Sequence, residues 1–208
     1  MPDQREVWDA VGEDWHKFRQ HTVNEARDFL NNKKGLVLDL ACGSGRNFID
    51  IKGKIIGVDF SERMLKFAKN NAKSNMLDID LVNADAIHLP FKDNAFDSIL
   101  FSNSFHCIKW NKRKSALDEI KRVAKDKADI FISVWNRDQP RFADSKKEAY
   151  ISWTVKGKTY QRYYYLYSED ELESLLKKYF KNVKVFGSRE KAFKKYPKNI
   201  IAIARVAK

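Results

Sequence analysis

Three aspartates and two glycines stand where they could hold a nucleoside with a charged tail. Asp39 opens the stretch DLACGSGRN (39–47), in which Gly43 and Gly45 permit a tight turn and close backbone approach. Phe48 occupies the place where a dinucleotide fingerprint needs its third glycine, and no Gly-Lys-Ser/Thr follows this loop as a P-loop requires. A carboxylate at the loop entrance would repel pyrophosphate but can help hold an ammonium group. Asp59 ends a second apolar run, where a carboxylate can accept both hydroxyl protons of a ribose diol. Asp85, in NADAIHLPF, could accept from an adenine amino group. Any one of these acids could be a simple cap or turn residue. Three of them at three successive strand ends are harder to explain that way. The ligand implied is an adenosine with a positively charged tail in place of phosphates.

The elements that must position these groups read as alternating strands and helices. Two helices are expected first, one within Arg5–Phe18 and one after Thr22, where Thr22 and Glu25 are spaced as a capping box. Strands are predicted over 35–40, 54–60, 79–84, 96–102, 128–135, 183–188 and 199–206. Ser61 is read as the cap of a helix carrying Met64, Leu65, Ala68 and Ala72. A basic helix turns Ala116, Leu117, Ile120 and Val123 inward, and Ser168 with Glu171 forms a second capping box. The stretch between the fifth strand and Ser168 reads as irregular. Strands alternating with helices imply an α/β fold, a mostly parallel seven-stranded sheet with helices on both faces and one antiparallel strand near the edge. The expected organisation is a single domain over 1–208, with N-terminal helices (1–33) covering the site and a cofactor-binding core (34–136). A substrate-side insertion (137–167) and a C-terminal helix with a strand pair (168–208) complete it.

The 208 residues suit one domain with a substantial core, and 43% are hydrophobic. Nothing resembles a membrane span, and MPDQREVWDA lacks the layout of a signal peptide. Two cysteines make neither a disulfide framework nor a zinc site, so no metal is expected and the setting implied is a reducing cytoplasm. The net charge of +12 suits a polyanionic partner such as nucleic acid, although lysine-rich surfaces also occur without one.

VLDLACGSGRN, IIGVDFSERML and LVNADAIHLPF resemble, in order and spacing, the first three motifs of the class I S-adenosylmethionine-dependent methyltransferases. The resemblance implies a Rossmann-like fold and S-adenosylmethionine as cofactor. It implies Asp39 and the Gly43–Gly45 turn around the methionine part, Asp59 on the ribose and Asp85 near the adenine. Ala41, Phe60, Ala86 and Ser102 adjoin these positions and are expected in the same pocket. Ala41 stands where many members have glycine, a departure the small side chain is expected to tolerate.

Further along, W-x-x-V-G-x-x-W-x-x-F-R (8–19), FHCIKW (105–110), VWN (134–136) and RYYYLYSEDEL (162–172) together resemble the tRNA wobble-uridine carboxymethyl methyltransferases. That resemblance implies methyl esterification of 5-carboxymethyluridine in the tRNA anticodon stem-loop, and a small zinc-binding methyltransferase activator protein as partner. Phe105–His106 replaces the histidine pair often found in the family. A carboxylate acceptor is ionised at neutral pH, so it needs orientation and desolvation but no general base. Arg19 and Arg162 are the candidates to orient it, with His106 beside them and Trp15, Trp135, Tyr163 and Tyr165 as substrate contacts. The string has a second reading, in which its tyrosines pack on the core and Arg162 is solvated. His106 could equally be a hydrogen-bonded structural residue, and Cys107 either a nucleophile for pyrimidine methylation or a small packed side chain. A small-molecule methyltransferase acting on a quinone or lipid precursor, or a non-catalytic RNA-binding protein keeping the fold, are the competing functions.

Overall fold

Alternating apolar side chains divide the core between the two faces of one sheet. In β1 (Leu36–Leu40), Val37 joins one buried cluster while Leu38 and Leu40 join the other. In the computed structural model, which describes residues 3–18, 21–192 and 195–208, β1 is flanked by β2 (Lys54–Asp59) and β4 (Phe96–Phe101). Outside these lie β3 (Ile79–Asn83) and β5 (Ala124–Trp135), all parallel. The sheet is completed by β11 (Asn199–Arg205) and β8 (Lys181–Gly187), giving the order β3-β2-β1-β4-β5-β11-β8. In this sheet β11 runs antiparallel to both β5 and β8, so it alone is reversed relative to the other six strands.

Helices α2 (Asn24–Leu30) and α3 (Glu62–Ser74) cover one face through Ala26, Leu30, Ala68 and Ala72. Helices α4 (Arg113–Val123) and α5 (Glu169–Leu176) cover the other through Leu117, Ile120, Leu172 and Leu176. Helix α1 (Gln4–Phe18) lies apart from these layers, against α3 and a hairpin of β6 (Glu148–Val155) and β7 (Lys158–Tyr165). The strand order reverses at β1, with β2 on one side and β4 on the other. A crevice therefore opens beyond the C-terminal strand ends, where the loops diverge. A two-residue ladder of β9 (Lys191–Ala192) and β10 (Tyr196–Pro197) precedes β11. No helix among the described residues is long and apolar enough to cross a membrane.

Two expectations about elements are corrected. The stretch read as irregular is the β6–β7 hairpin, paired from Glu148↔Tyr165 to Val155↔Lys158. Its turn residues Lys156 and Gly157 both have positive φ (47° and 79°), as a tight two-residue hairpin turn demands. The Thr22–Glu25 capping box does not form. Thr22 donates to the Arg46 carbonyl (2.8 Å), and Glu25 accepts from the Arg189 backbone N–H (2.7 Å), so each serves a tertiary contact. The caps at Ser61 and Ser168 do form, through the Met64 and Glu171 backbone N–H groups.

Candidate active site

The loop after β1 is folded by its glycines. Gly43 and Gly45 have φ of 58° and 77°, and a Cβ on Gly45 would lie 2.5 Å from the Phe48 ring. A Cβ on Gly43 would meet nothing within 4 Å, because Gly43 borders a cleft of about 1120 Å³, mouth included. Ala41, on the same lip, has φ of 55°. Alanine in this left-handed region costs about 1 kcal/mol, so the position carries strain that the sequence reading did not foresee.

Each carboxylate beneath the cleft is held differently. Asp59 accepts the Gly43 N–H (2.8 Å) on one oxygen and the Ser61 N–H (2.9 Å) on the other. Those bonds fix its plane at the cleft wall and leave a lone pair on each oxygen for a diol. Burial pushes its carboxyl up to about 6 against those two N–H groups. Asp39 is 2% exposed, and neither of its oxygens has a hydrogen-bond partner among the described residues. Burial pushes it up to about 8, opposed by the Arg46 charge. Asn47, bordering the cleft, likewise has a buried Oδ1 without a partner. Orphaned buried acceptors are costly, and a cationic ligand with N–H donors removes that cost. Asp85 stands beyond β3, with Oδ1 accepting the Ile87 N–H (3.3 Å), beside Ala84 and Ala86 on the cleft wall. Phe60 and Ser102 line the same cleft. These residues fit S-adenosylmethionine: acceptors for its ammonium, a carboxylate for its diol, and a glycine lip for close approach.

The other half of the cleft is aromatic. Trp8 and Trp15 reach it from α1, Trp135 from the end of β5, and Tyr164 from β7. Tyr164 stacks flat on Trp135, with centroids 4.3 Å apart and planes 8° apart, and His106 stacks on Tyr164 at 5.3 Å. His106 and Cys107 both line the cleft. Burial pushes the Cys107 thiol up to about 12, so it is a thiol and not a thiolate at neutral pH. Arg162 stands behind this wall, 2% exposed, its guanidinium carbon 4.7 Å from the Trp15 ring centroid and 4.8 Å from that of Trp153. It donates to the Tyr164 hydroxyl (2.7 Å), makes no ion pair among the described residues, and leaves Nε without a partner. Burial depresses its proton affinity.

The expectation for the tyrosines is corrected by strand alternation. Arg162, Tyr164 and Leu166 face the cleft side, with Tyr164 and Leu166 in the cluster of Trp8 and Trp135. Tyr163 and Tyr165 point to the opposite side of β7, where Arg113 bonds the Tyr163 hydroxyl (3.1 Å) and lies 3.7 Å from the Tyr165 ring centroid. They do not line the cleft. The alternative of a solvated Arg162 is overturned as well, because the arginine is buried. Arg19 lies outside the described residues. Sequence reasoning missed Trp8, Asn47 and Tyr164. The i, i+7 spacing of Trp8 and Trp15 on one helix face was the available signal for the first.

Residues 37–127 match the protein-family profile described as "Methyltransferase domain". A protein of Encephalitozoon cuniculi bearing a methyltransferase name is 28% identical, over 81% of each chain. Demethylmenaquinone methyltransferase of Staphylococcus saprophyticus is 41% identical over 39% of this chain and 39% of its own. The Mus musculus protein named "Probable tRNA methyltransferase 9B" is 26% identical over 61% of this chain, which spans only 28% of that protein. Among solved structures, a Haloferax volcanii methyltransferase in complex with the Trm112 methyltransferase activator superposes with a TM-score of 0.70 at 14% identity, over 100% of both chains. The Burkholderia thailandensis 1,6-didemethyltoxoflavin-N1-methyltransferase with bound S-adenosylhomocysteine gives 0.70 at 18% identity, over 100% of this chain and 92% of its own. Residues 37–127 therefore match a methyltransferase domain, the chain shares the Rossmann-like fold of these structures, and its cleft fits S-adenosylmethionine as cofactor.

Proposed function

We propose that the protein methylates the carboxylate of 5-carboxymethyluridine at the wobble position of tRNA. The observation that carries this reading is Arg162, a buried cation with no ion pair among the described residues, immediately behind the wall of Trp8, Trp15 and Tyr164. A buried charge without a counter-ion is costly, and an anionic substrate would supply one. When bound, S-adenosylmethionine supplies a methyl group on a sulfonium.

In this reading Asp39, Asn47 and the Gly43–Gly45 turn hold the methionine end, Asp59 the ribose, and Asp85 with Ala86 the adenine. Ala41, Phe60 and Ser102 complete that half. Trp8, Trp15, Trp135 and Tyr164 exclude water from the acceptor, raising the nucleophilicity of its carboxylate oxygen. Arg162 orients the carboxylate together with Arg19, and His106 fixes the Tyr164–Trp135 stack. A carboxylate with a pKa of ~4 carries no proton at neutral pH, so no residue has to remove one. That agrees with a cleft whose thiol is held protonated.

The relative named for tRNA and the neighbour in complex with an activator support tRNA as substrate and a methyltransferase activator as partner. Within this reading the tRNA part bound is the anticodon stem-loop, the activator is the small zinc-binding one, and the setting is a reducing cytoplasm. The aromatic walls and the demethylmenaquinone relative favour, as a second reading, a planar small-molecule acceptor. Mass spectrometry of wobble nucleosides decides between them. The protein, with and without activator, is incubated with S-adenosylmethionine and tRNA bearing carboxymethyluridine. Appearance of the methyl ester supports the first reading. Turnover of a quinone precursor with unchanged tRNA overturns it.

A further inference from the structure

FHCIKW leaves the cleft at Ile108 and ends two residues later in a tryptophan that the methyl-transfer site does not use. Trp110 is 62% exposed, yet one side of its ring is packed against neighbours. Its ring stacks on Tyr165, with centroids 6.3 Å apart and planes 22° apart, and the Arg113 guanidinium carbon lies 5.4 Å from its centroid. Arg113 is itself fixed by the Ile108 carbonyl (3.0 Å) and by Tyr163. Tyr165 is anchored by Glu171, which Lys147 also meets, and Glu148 approaches the Tyr163 hydroxyl.

This pedestal is poorly explained as a stabilising device. Arg113 is 2% exposed, makes no ion pair among the described residues, and has an Nη1 without a partner. A ring left mostly in water contributes little by burial. What the arrangement does supply is a flat, pre-oriented aromatic face backed by a cation, at the lip of the cleft. Lys109 and Lys112 flank it in the chain, and exposed Tyr150 stands edge-on to Tyr163 nearby. An aromatic face with lysines beside it matches a nucleobase with its phosphates, and rotamer entropy already spent on the free protein is not lost on binding.

We propose that Trp110 is a stacking platform for a nucleobase of single-stranded RNA next to the one presented to the cleft, with Lys109 and Lys112 meeting the adjoining phosphates. This rests on RNA being the acceptor, but not on which group of the uridine is methylated.

The test is therefore binding, not turnover. A fluorescein-labelled seven-nucleotide RNA with unmodified uridines is titrated with the full chain and read by anisotropy. Trp110→Ala is expected to weaken binding about 10-fold, and Trp110→Phe to retain most of the affinity, as stacking by any aromatic face requires. Lys112→Ala should reduce the salt slope, and Trp110→Ala should keep the wild-type melting temperature and S-adenosylmethionine affinity. Equal RNA affinity of Trp110→Ala and wild type overturns the platform. So does a Trp110→Ala chain that binds RNA normally but fails to bind a purified activator protein, which would make this face a protein-docking site. A wild-type chain that binds no RNA overturns both this inference and the RNA acceptor. Normal RNA binding without ester formation leaves the platform standing and removes only the carboxylate chemistry.

Discussion

At the scale of single residues, the buried acids make cofactor binding a proton-linked event. Asp39 is held protonated by burial up to about 8, whereas an ammonium ligand needs its carboxylate. Binding near pH 7 should therefore release about one proton, which calorimetry in buffers of different ionisation enthalpy detects. Affinity should rise between about pH 6 and 8 and fall where the ligand's own amine, with a pKa of ~8, loses its charge. Stability of the free protein runs the other way. Between the ordinary 3.8 and about 8 the folded chain keeps a proton that the unfolded chain has lost, so the Asp39 contribution declines as pH rises. Asp59 adds the same sign up to about 6. Asp39→Asn should flatten both profiles, and an unchanged pH dependence of affinity would remove Asp39 from the ligand. Arg162 tests the other half of the cleft. Arg162→Ala is expected to lower kcat/KM on modified tRNA by ~10- to 100-fold, the size of a charged hydrogen bond. Because burying this cation is itself costly, melting temperature is measured alongside, together with cofactor affinity. A variant changed in melting temperature alone leaves Arg162 as packing only, and one silent in all three assays removes it from the reaction.

At the scale of elements, caps were read from spacing alone, and structure separates real from coincidental ones. Ser168 accepts the Glu171 N–H, but the Glu171 side chain turns away to Tyr165 and Lys147, so half of the expected box exists. Thr22 caps nothing. Ser168→Ala should cost about 1 kcal/mol in urea unfolding with the m-value unchanged. Thr22→Val should cost only the single bond to the Arg46 carbonyl, whose neighbouring loop borders the cofactor, and so should weaken S-adenosylmethionine binding more than Ser168→Ala does. The same contrast explains what was legible. The seven strands of the main sheet were visible because each is a short apolar run between turn residues. Asp39, Asp59 and Asp85 were visible because they end such runs. The β6–β7 hairpin was not, since EAYISWTV alternates only exposed and half-buried positions, KTYQRYYY passes from exposed to wholly buried without a buried–exposed alternation, and the two are joined by Lys-Gly, a weaker signal than Asn-Gly. Once β7 is a strand, its period of two sends Tyr163 and Tyr165 away from the cleft and brings in Tyr164. Arg113 escaped notice for a different reason: on a lysine-rich helix, a buried arginine looks like one more solvated charge.

At the scale of the whole molecule, the division of charge should distinguish the two ligands. Asp39 and Asp59, two of the three acids assigned to the cofactor, are buried at the cleft, while the excess that makes the chain +12 is carried mainly by lysines, none of which is buried among the described residues. S-adenosylmethionine is small and held by short-range bonds, so its affinity should change little with ionic strength. An RNA strand loses condensed counterions wherever a lysine or arginine meets a phosphate. With about four such contacts, the slope of log affinity against log salt is about −3 for a single strand, and a fourfold rise in salt costs roughly 50-fold. Titrating the same labelled RNA from 50 to 200 mM salt, with calorimetry on S-adenosylmethionine in parallel, measures both slopes. The steep slope for RNA and the flat one for cofactor are the expected pair. If the RNA slope is also flat, the basic surface does not meet phosphates, and the demethylmenaquinone-like reading of the aromatic cleft gains what the nucleic-acid reading loses.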